Sequence, residues 1–313
     1  MTDVIAPVPS TPTAPALPVL DDAGAPPVSG RRSLPGRRPF RPGRVLLNLA
    51  GLVVFVVFGF PVFWMVVTAF KRGVDVNQRN PTLLPAPGTL ENYRAVLDRP
   101  FFWSAMRTSL MVTLLTVLLA LAVGFLAAVG VARFGFRGRK AYMIMILVVQ
   151  MVPAEALIIS MFKVLDGWSL TNTVFGLTLA YLVFTLPFTI WTLRGFVANV
   201  PVELEEAAVM DGCSRLRAFT SVTLPLVAPG LVATGVFSFI QAWNEFLFAL
   251  VIMDRPEHQT LPVWLQGFNE GAKGTDWGAV MAGSTVMAVP VIVFFLLVQR
   301  RVTSGLTAGA VKG

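Results

Sequence analysis

The sequence predicts an all-α integral membrane protein with six transmembrane helices. Composition makes the bilayer its natural solvent: 55% of the 313 residues are hydrophobic and 13% charged, against about 25% charged in a typical soluble domain, and the mean hydropathy is +0.71. The apolar residues gather into windows of the right length, since about 20 residues of helix cross a hydrocarbon core of about 30 Å. Lys and Arg lie between these windows, where they set topology and do not form a nucleic-acid surface.

Residues 1–44 hold ten of the chain's 23 prolines and no apolar run long enough for a signal-peptide core. They read as a disordered, Pro-rich tail that ends in a basic stop, with the first span as an uncleaved anchor. A proline-rich ligand for a recognition module is the other reading, which the lack of a repeated proline spacing disfavours. The six-helix domain then covers 45–299, with spans over Val45–Phe70, Met106–Val131, Ala141–Phe162, Val174–Trp191, Leu226–Met253 and Ala279–Val298. Pro187 makes the fourth the weakest of them, although transmembrane helices tolerate proline. A short tail, 300–313, follows.

Sixteen Lys and Arg fall on the side of the termini and nine on the other, so both termini and the segment 199–225 are expected in the cytoplasm. The loops near Lys71–Arg107, Lys163–Thr173 and Asp254–Trp277 then face outward. Trp64, Trp103, Trp168, Trp191, Trp264 and Trp277 sit near span ends, as interfacial belts do.

Several chemistries are excluded by what is missing. Gly-Lys never occurs, so no phosphate loop of the form G-x-x-x-x-G-K-[ST] exists to cradle a nucleoside triphosphate. Any ATP must be hydrolysed by a partner. One cysteine, Cys213, and one histidine, His258, permit neither an intramolecular disulfide nor a Cys/His metal site. No span holds the paired aspartates of an intramembrane protease, and no cofactor is expected.

The polar island 199–225 is the chain's most informative stretch. Pro201 suits a first helical turn, and Glu203, Glu205 and Glu206 place negative charge at the positive helix end. Leu204, Ala207, Ala208 and Asp211 then share one face of small residues that another protein can approach closely, and Gly212 supplies the stop. A second amphipathic stretch, Ser214 to Val222, precedes Leu224 and Pro225. Two short helices at an angle would make a projecting knob; a plain solvated loop is the alternative.

Glu206-Ala207-Ala208, then Gly212, Val222 and Leu224-Pro225, resembles the EAA loop of ABC importer permeases, whose usual form has Ile where Val222 stands. Thr89 to Tyr93, Ala242 to Phe246 and Gly305 to Gly313 are similar to segments of the carbohydrate-type permeases, in particular the smaller permease of maltose and glycerol-phosphate systems. The resemblance implies the type I importer fold. It also implies a permease heterodimer in a prokaryotic cytoplasmic membrane, two ATP-binding subunits beneath it and an extracytoplasmic solute-binding protein. In such an assembly Glu203, Glu206, Ala207, Ala208, Asp211, Gly212, Leu224 and Pro225 would couple to the ATP-binding subunit. Gly305, Thr307, Gly309 and Lys312 would reach the interface between the two ATP-binding subunits, unless the terminus simply frays.

The fifth span carries a polar stripe of Thr234, Ser238, Gln241 and Glu245, with Asn244 beside it. Charge inside a membrane faces a bundle interior or a cavity, so Glu155, Ser238, Gln241, Asn244 and Glu245 are candidates for a path taken by a sugar or polyol. The other role open to the two glutamates is to cap helices or tie spans together. Trp243 is placed either to stack on a sugar face or, as the weightier reading, to pack the core. An ion-coupled carrier or channel would share the spans and the stripe, but the halves show no self-similarity of the kind such carriers carry. A scaffold without transport activity explains neither knob nor stripe.

Overall fold

The computed structural model describes residues 42–78, 80, 82–269 and 274–310, without the side chains of 42–46 and 300–310. The predicted tail 1–44 therefore lies almost wholly outside the described residues. By packing, the chain divides at Val53; the first unit contributes the opening turns of α1, and the packing described below is that of 54–313.

Thirteen helices follow one another among the described residues: α1 Pro42–Ala69, α2 Gly73–Val76, α3 Glu91–Leu97, α4 Phe102–Arg133, α5 Arg139–Met151, α6 Ile158–Gly167, α7 Val174–Ala198, α8 Val202–Met210, α9 Arg215–Ala218, α10 Leu224–Asn244, α11 Leu247–Ile252, α12 Leu261–Gln266 and α13 Trp277–Ala310. Five stretches are long and apolar enough to cross a bilayer: Leu47–Ala69, Phe102–Arg133, Val174–Ala198, Arg215–Asn244 and Trp277–Gln299. The sixth candidate is a bent pair, Arg139–Met151 and Ala154–Gly167, whose axes meet at 88°, the geometry of a broken span or of a re-entrant loop.

The break falls inside the predicted third span, Ala141–Phe162, and not in the fourth, where Pro187 was expected to interrupt. Val152 is extended (φ −75°, ψ 123°), as a residue before proline prefers, and Pro153 leads into a tight turn, Ala154–Leu157. Pro187, by contrast, lies within an unbroken α7 of 25 residues. The fifth span is also divided: α10 ends at Asn244, Glu245 is extended (φ −67°, ψ 133°), and α11 starts two residues on.

α7 is the centre of the bundle. Gly176, Leu177, Thr178, Ala180, Tyr181, Thr185, Thr189, Leu193 and Val197 are all buried along it. Its threonines are tolerated because each hydroxyl donates one turn back: Thr178 to Val174 O at 2.8 Å, Thr185 to Tyr181 O at 2.8 Å and Thr189 to Thr185 O at 2.9 Å. α4 packs closely on it, because Gly124 faces Thr189; a Cβ at Gly124 would stand 2.5 Å from the Thr189 Cγ2. At the opposite extreme, Val54 to Phe58 of α1 are all exposed, an apolar surface for lipid or another subunit.

Polar ties pin one end of the bundle. Asn92 donates to the carbonyls of Ala69 (2.9 Å) and Lys71 (2.7 Å), the Ser109 hydroxyl accepts from Leu261 N (2.7 Å), and Trp264 Nε1 donates to Pro100 O (2.9 Å). Trp264, expected as an interfacial anchor, is instead 5% exposed and packed with Phe102 and Phe268. Valines 197, 200 and 227 close the other end, together with Phe125, Val129 and Leu231. From that second end α8 projects.

Candidate functional site

The projecting segment is built by ordinary helix grammar. Pro201 stands at the N-cap (φ −57°, ψ 135°), and Glu203 and Glu205 occupy the first turn of α8, next to its unpaired N–H groups. The helix ends where Asp211 N donates to Ala207 O, Gly212 N to Val209 O and Cys213 N to Ala208 O, each at 3.0 Å. Gly212 makes this stop possible, its φ of +89° lying in the left-handed region.

No residue of α8 is buried. Glu203, Glu206, Ala207, Asp211, Gly212 and Pro225 are exposed, while Ala208 and Leu224 are half-buried. Around them Val202, Leu204, Val209, Met210 and Leu216 are exposed as well, Met210 at 87%. A cluster of exposed apolar side chains beside alanines and a glycine has the character of a docking surface. One expectation needs correction: the second stretch is not a separate short helix. Ser214 caps α9, its hydroxyl accepting from Arg217 N at 3.3 Å, and α9 continues through a π-helical turn, Phe219–Thr223, directly into α10.

What holds α8 in place was not apparent from the sequence. An Nη of Arg133, the last residue of α4, lies 2.8 Å from Glu205 Oε1. The same oxygen accepts from the Thr223 hydroxyl at 2.5 Å, and the other Arg133 Nη donates to Val200 O at 3.0 Å. Seventy-two positions separate Arg133 from Glu205, so no local spacing signals the pair. In the sequence one counts as a topological charge and the other as a first-turn acid.

The predicted path residues divide into two groups. Ser238 is fully buried, and Trp243 is 1% exposed, stacked parallel to Phe239 and donating from Nε1 to Met287 O at 3.2 Å. Gln241 and Asn244 are exposed, Asn244 donating to Ile240 O at 2.9 Å. Glu245 caps α11: its two oxygens accept from Phe248 N (2.8 Å) and Ala249 N (3.1 Å). The buried Tyr181 phenol lies within electrostatic reach of that carboxylate without a hydrogen bond of standard geometry. Glu155 is exposed in the turn between α5 and α6. Gly305, Thr307 and Gly309 fall on the last turns of α13, whose side chains lie outside the described residues, and Lys312 lies outside them altogether. Among the described residues no three His, Cys, Asp or Glu side chains gather where they could hold a metal ion.

Comparison with known proteins identifies the family and the fold. Residues 120–307 match the family described as binding-protein-dependent transport system inner membrane component. The diacetylchitobiose uptake system permease protein DasC of Streptomyces coelicolor is 44% identical over 271 residues, 87% of this chain and 98% of that protein. The trehalose/maltose transport system permease protein MalG of Thermococcus litoralis is 36% identical, over 86% of this chain and 97% of its own length. Among solved structures, a chain of a bacterial ABC transporter that imports the acidic polysaccharide alginate superposes with a TM-score of 0.69 at 23% identity, covering 84% of this chain and 99% of that one. A chain of the MetNI methionine ABC transporter follows with a TM-score of 0.51 at 16% identity, over 69% of this chain and 99% of that one. At such identities the likeness is one of fold. With more than half of its length matched to the family and with relatives aligned nearly end to end, this chain belongs to the binding-protein-dependent transport system inner membrane components, the multi-pass permeases of ABC importers.

Proposed function

We propose that this chain is the permease subunit of an ATP-driven importer, pairs with a second permease, and carries a carbohydrate or related polyol across the cytoplasmic membrane. ATP is hydrolysed on separate subunits, which seat α8 from the cytoplasmic side; a solute-binding protein delivers the cargo outside. The observation that carries this reading is the projecting helix α8, with no buried residue and a surface of alanines, glycine and exposed apolar side chains. The lysine and arginine bias supports a cytoplasmic location for that end and for both termini. The names of the relatives, diacetylchitobiose and trehalose/maltose systems among them, support the cargo class.

In this mechanism the protein does no covalent chemistry. Closure of the nucleotide-bound subunits moves the docked α8, and the attached spans exchange between inward-open and outward-open states, a bias on a two-state equilibrium. Gln241, Asn244 and Glu155, exposed on the single chain, would line the path completed by the second permease, with Glu245 positioning the turn beside them. Gentle detergent extraction of the chain expressed with its neighbours should bring down an ATP-binding subunit and a second permease. A stable, transport-active homo-oligomer without them would favour an ion-coupled carrier instead.

A further inference from the structure

We propose that Arg133 and Glu205 form a positioning strut that transmits the movement of α8 to the spans, an inference that rests on the coupling role proposed for α8. Three elements meet at Glu205: α8 itself, the end of α4 through Arg133 at 2.8 Å, and the π-helical turn leading to α10 through the Thr223 hydroxyl at 2.5 Å. Arg133 also fixes the turn before α8 through Val200 O.

The pair is well shielded, with side chains 12% and 23% exposed, and Thr223 is fully buried. Shielding makes the charge contact stiff, because a charge left without its partner there is costly. No residue of α8 is buried, and among the described residues every polar side-chain link from α8 to the bundle runs through Glu205. Without the strut α8 still carries its docking surface, but its displacement is taken up by the turns on either side. Docking and transmission are thus assigned to different residues of one helix: the exposed face with Ala207 and Gly212 docks, and Glu205 on the inner face transmits.

The test separates the two. In the assembled complex, with Cys213→Ser to remove the native thiol, Asn244→Cys at the far end of α10 is labelled by a water-soluble maleimide, nucleotide-free and after trapping with ATP and orthovanadate. With the strut intact, trapping changes the labelling rate. With Glu205→Gln the ATP-binding subunit still copurifies, and the trapping-dependent change shrinks about fivefold or more, as loss of a bond linking two states produces. An undiminished change in Glu205→Gln overturns the strut while leaving the coupling role standing. If the strut-intact protein shows no change on trapping, or no ATP-binding subunit copurifies with it, the coupling role itself fails. Should Glu205→Gln not assemble, Thr223→Val and Arg133→Lys, which keep one charge pair each, decide: a diminished change supports the strut, and a full one overturns it.

Discussion

Two residues carry most of the local consequence. Gly212 has open space around its Cβ position but a φ of +89°, so any side chain there is strained by the backbone and not by its neighbours. Gly212→Ala should cost roughly 1–2 kcal/mol at the end of α8. Gly212→Pro, whose ring fixes φ near −65°, cannot keep the stop at all. Both variants should insert normally, and solute-stimulated ATP hydrolysis in the reconstituted complex should fall partly for Ala and almost wholly for Pro; an unchanged Pro variant would remove α8 from the mechanism. Glu245 is the second. Because its carboxylate accepts from two backbone N–H groups of α11, Glu245→Ala should cost about 1 kcal/mol of stability, with Glu245→Gln keeping one acceptor and losing less. Thermal melts in detergent measure this. Transport lost by Glu245→Gln at an unchanged melting temperature would add contact with the cargo to its capping role.

Among the elements, the α4 and α7 pair is the tightest. The Thr189 methyl that a Cβ at Gly124 would strike belongs to a β-branched side chain whose hydroxyl is already engaged, so it cannot swing aside. Gly124→Leu should therefore destabilise the bundle by roughly 1–3 kcal/mol, read as a lower melting temperature and reduced yield of assembled complex. The spans themselves were legible from apolar length, and α8 from Pro201, its first-turn glutamates and Gly212. Which proline bends the chain was not. Pro187 sits half-buried in a helix that packs along its length through Tyr181, Thr185, Thr189 and Leu193, and Pro153 sits where α5 and α6 bury little, so tertiary packing and not the residue type decides between a continuous helix and an 88° break. The Arg133 and Glu205 contact was illegible for a similar reason, since it exists only once α4 and α8 have been brought to the same end.

For the whole molecule, the division between what one chain completes and what it leaves open is itself informative. Its core closes in two main clusters, one on α7 and one between α4, α10, α12 and α13, whereas Gln241, Asn244 and Glu155 are exposed, which suits the path proposed above to be shared with a second permease. The C-terminal segment makes a separate prediction at this scale: if 305–313 reaches the ATP-binding subunits, its deletion should lower ATP turnover of the complex without reducing insertion. Normal turnover would mark it as a frayed end. The union of α9, the π-helical turn and α10 has a mechanical consequence. As one stretch of 30 residues, Arg215–Asn244, it is a lever of about 45 Å at 1.5 Å per residue. A tilt of about 10° around its midpoint would carry each end roughly 4 Å, with no unwinding in between. The far end of that lever is Asn244, just before the chain becomes extended at Glu245. If α8 docks as proposed, a small displacement there is thus carried by this stretch to its far end, where Gln241 and Asn244 are exposed.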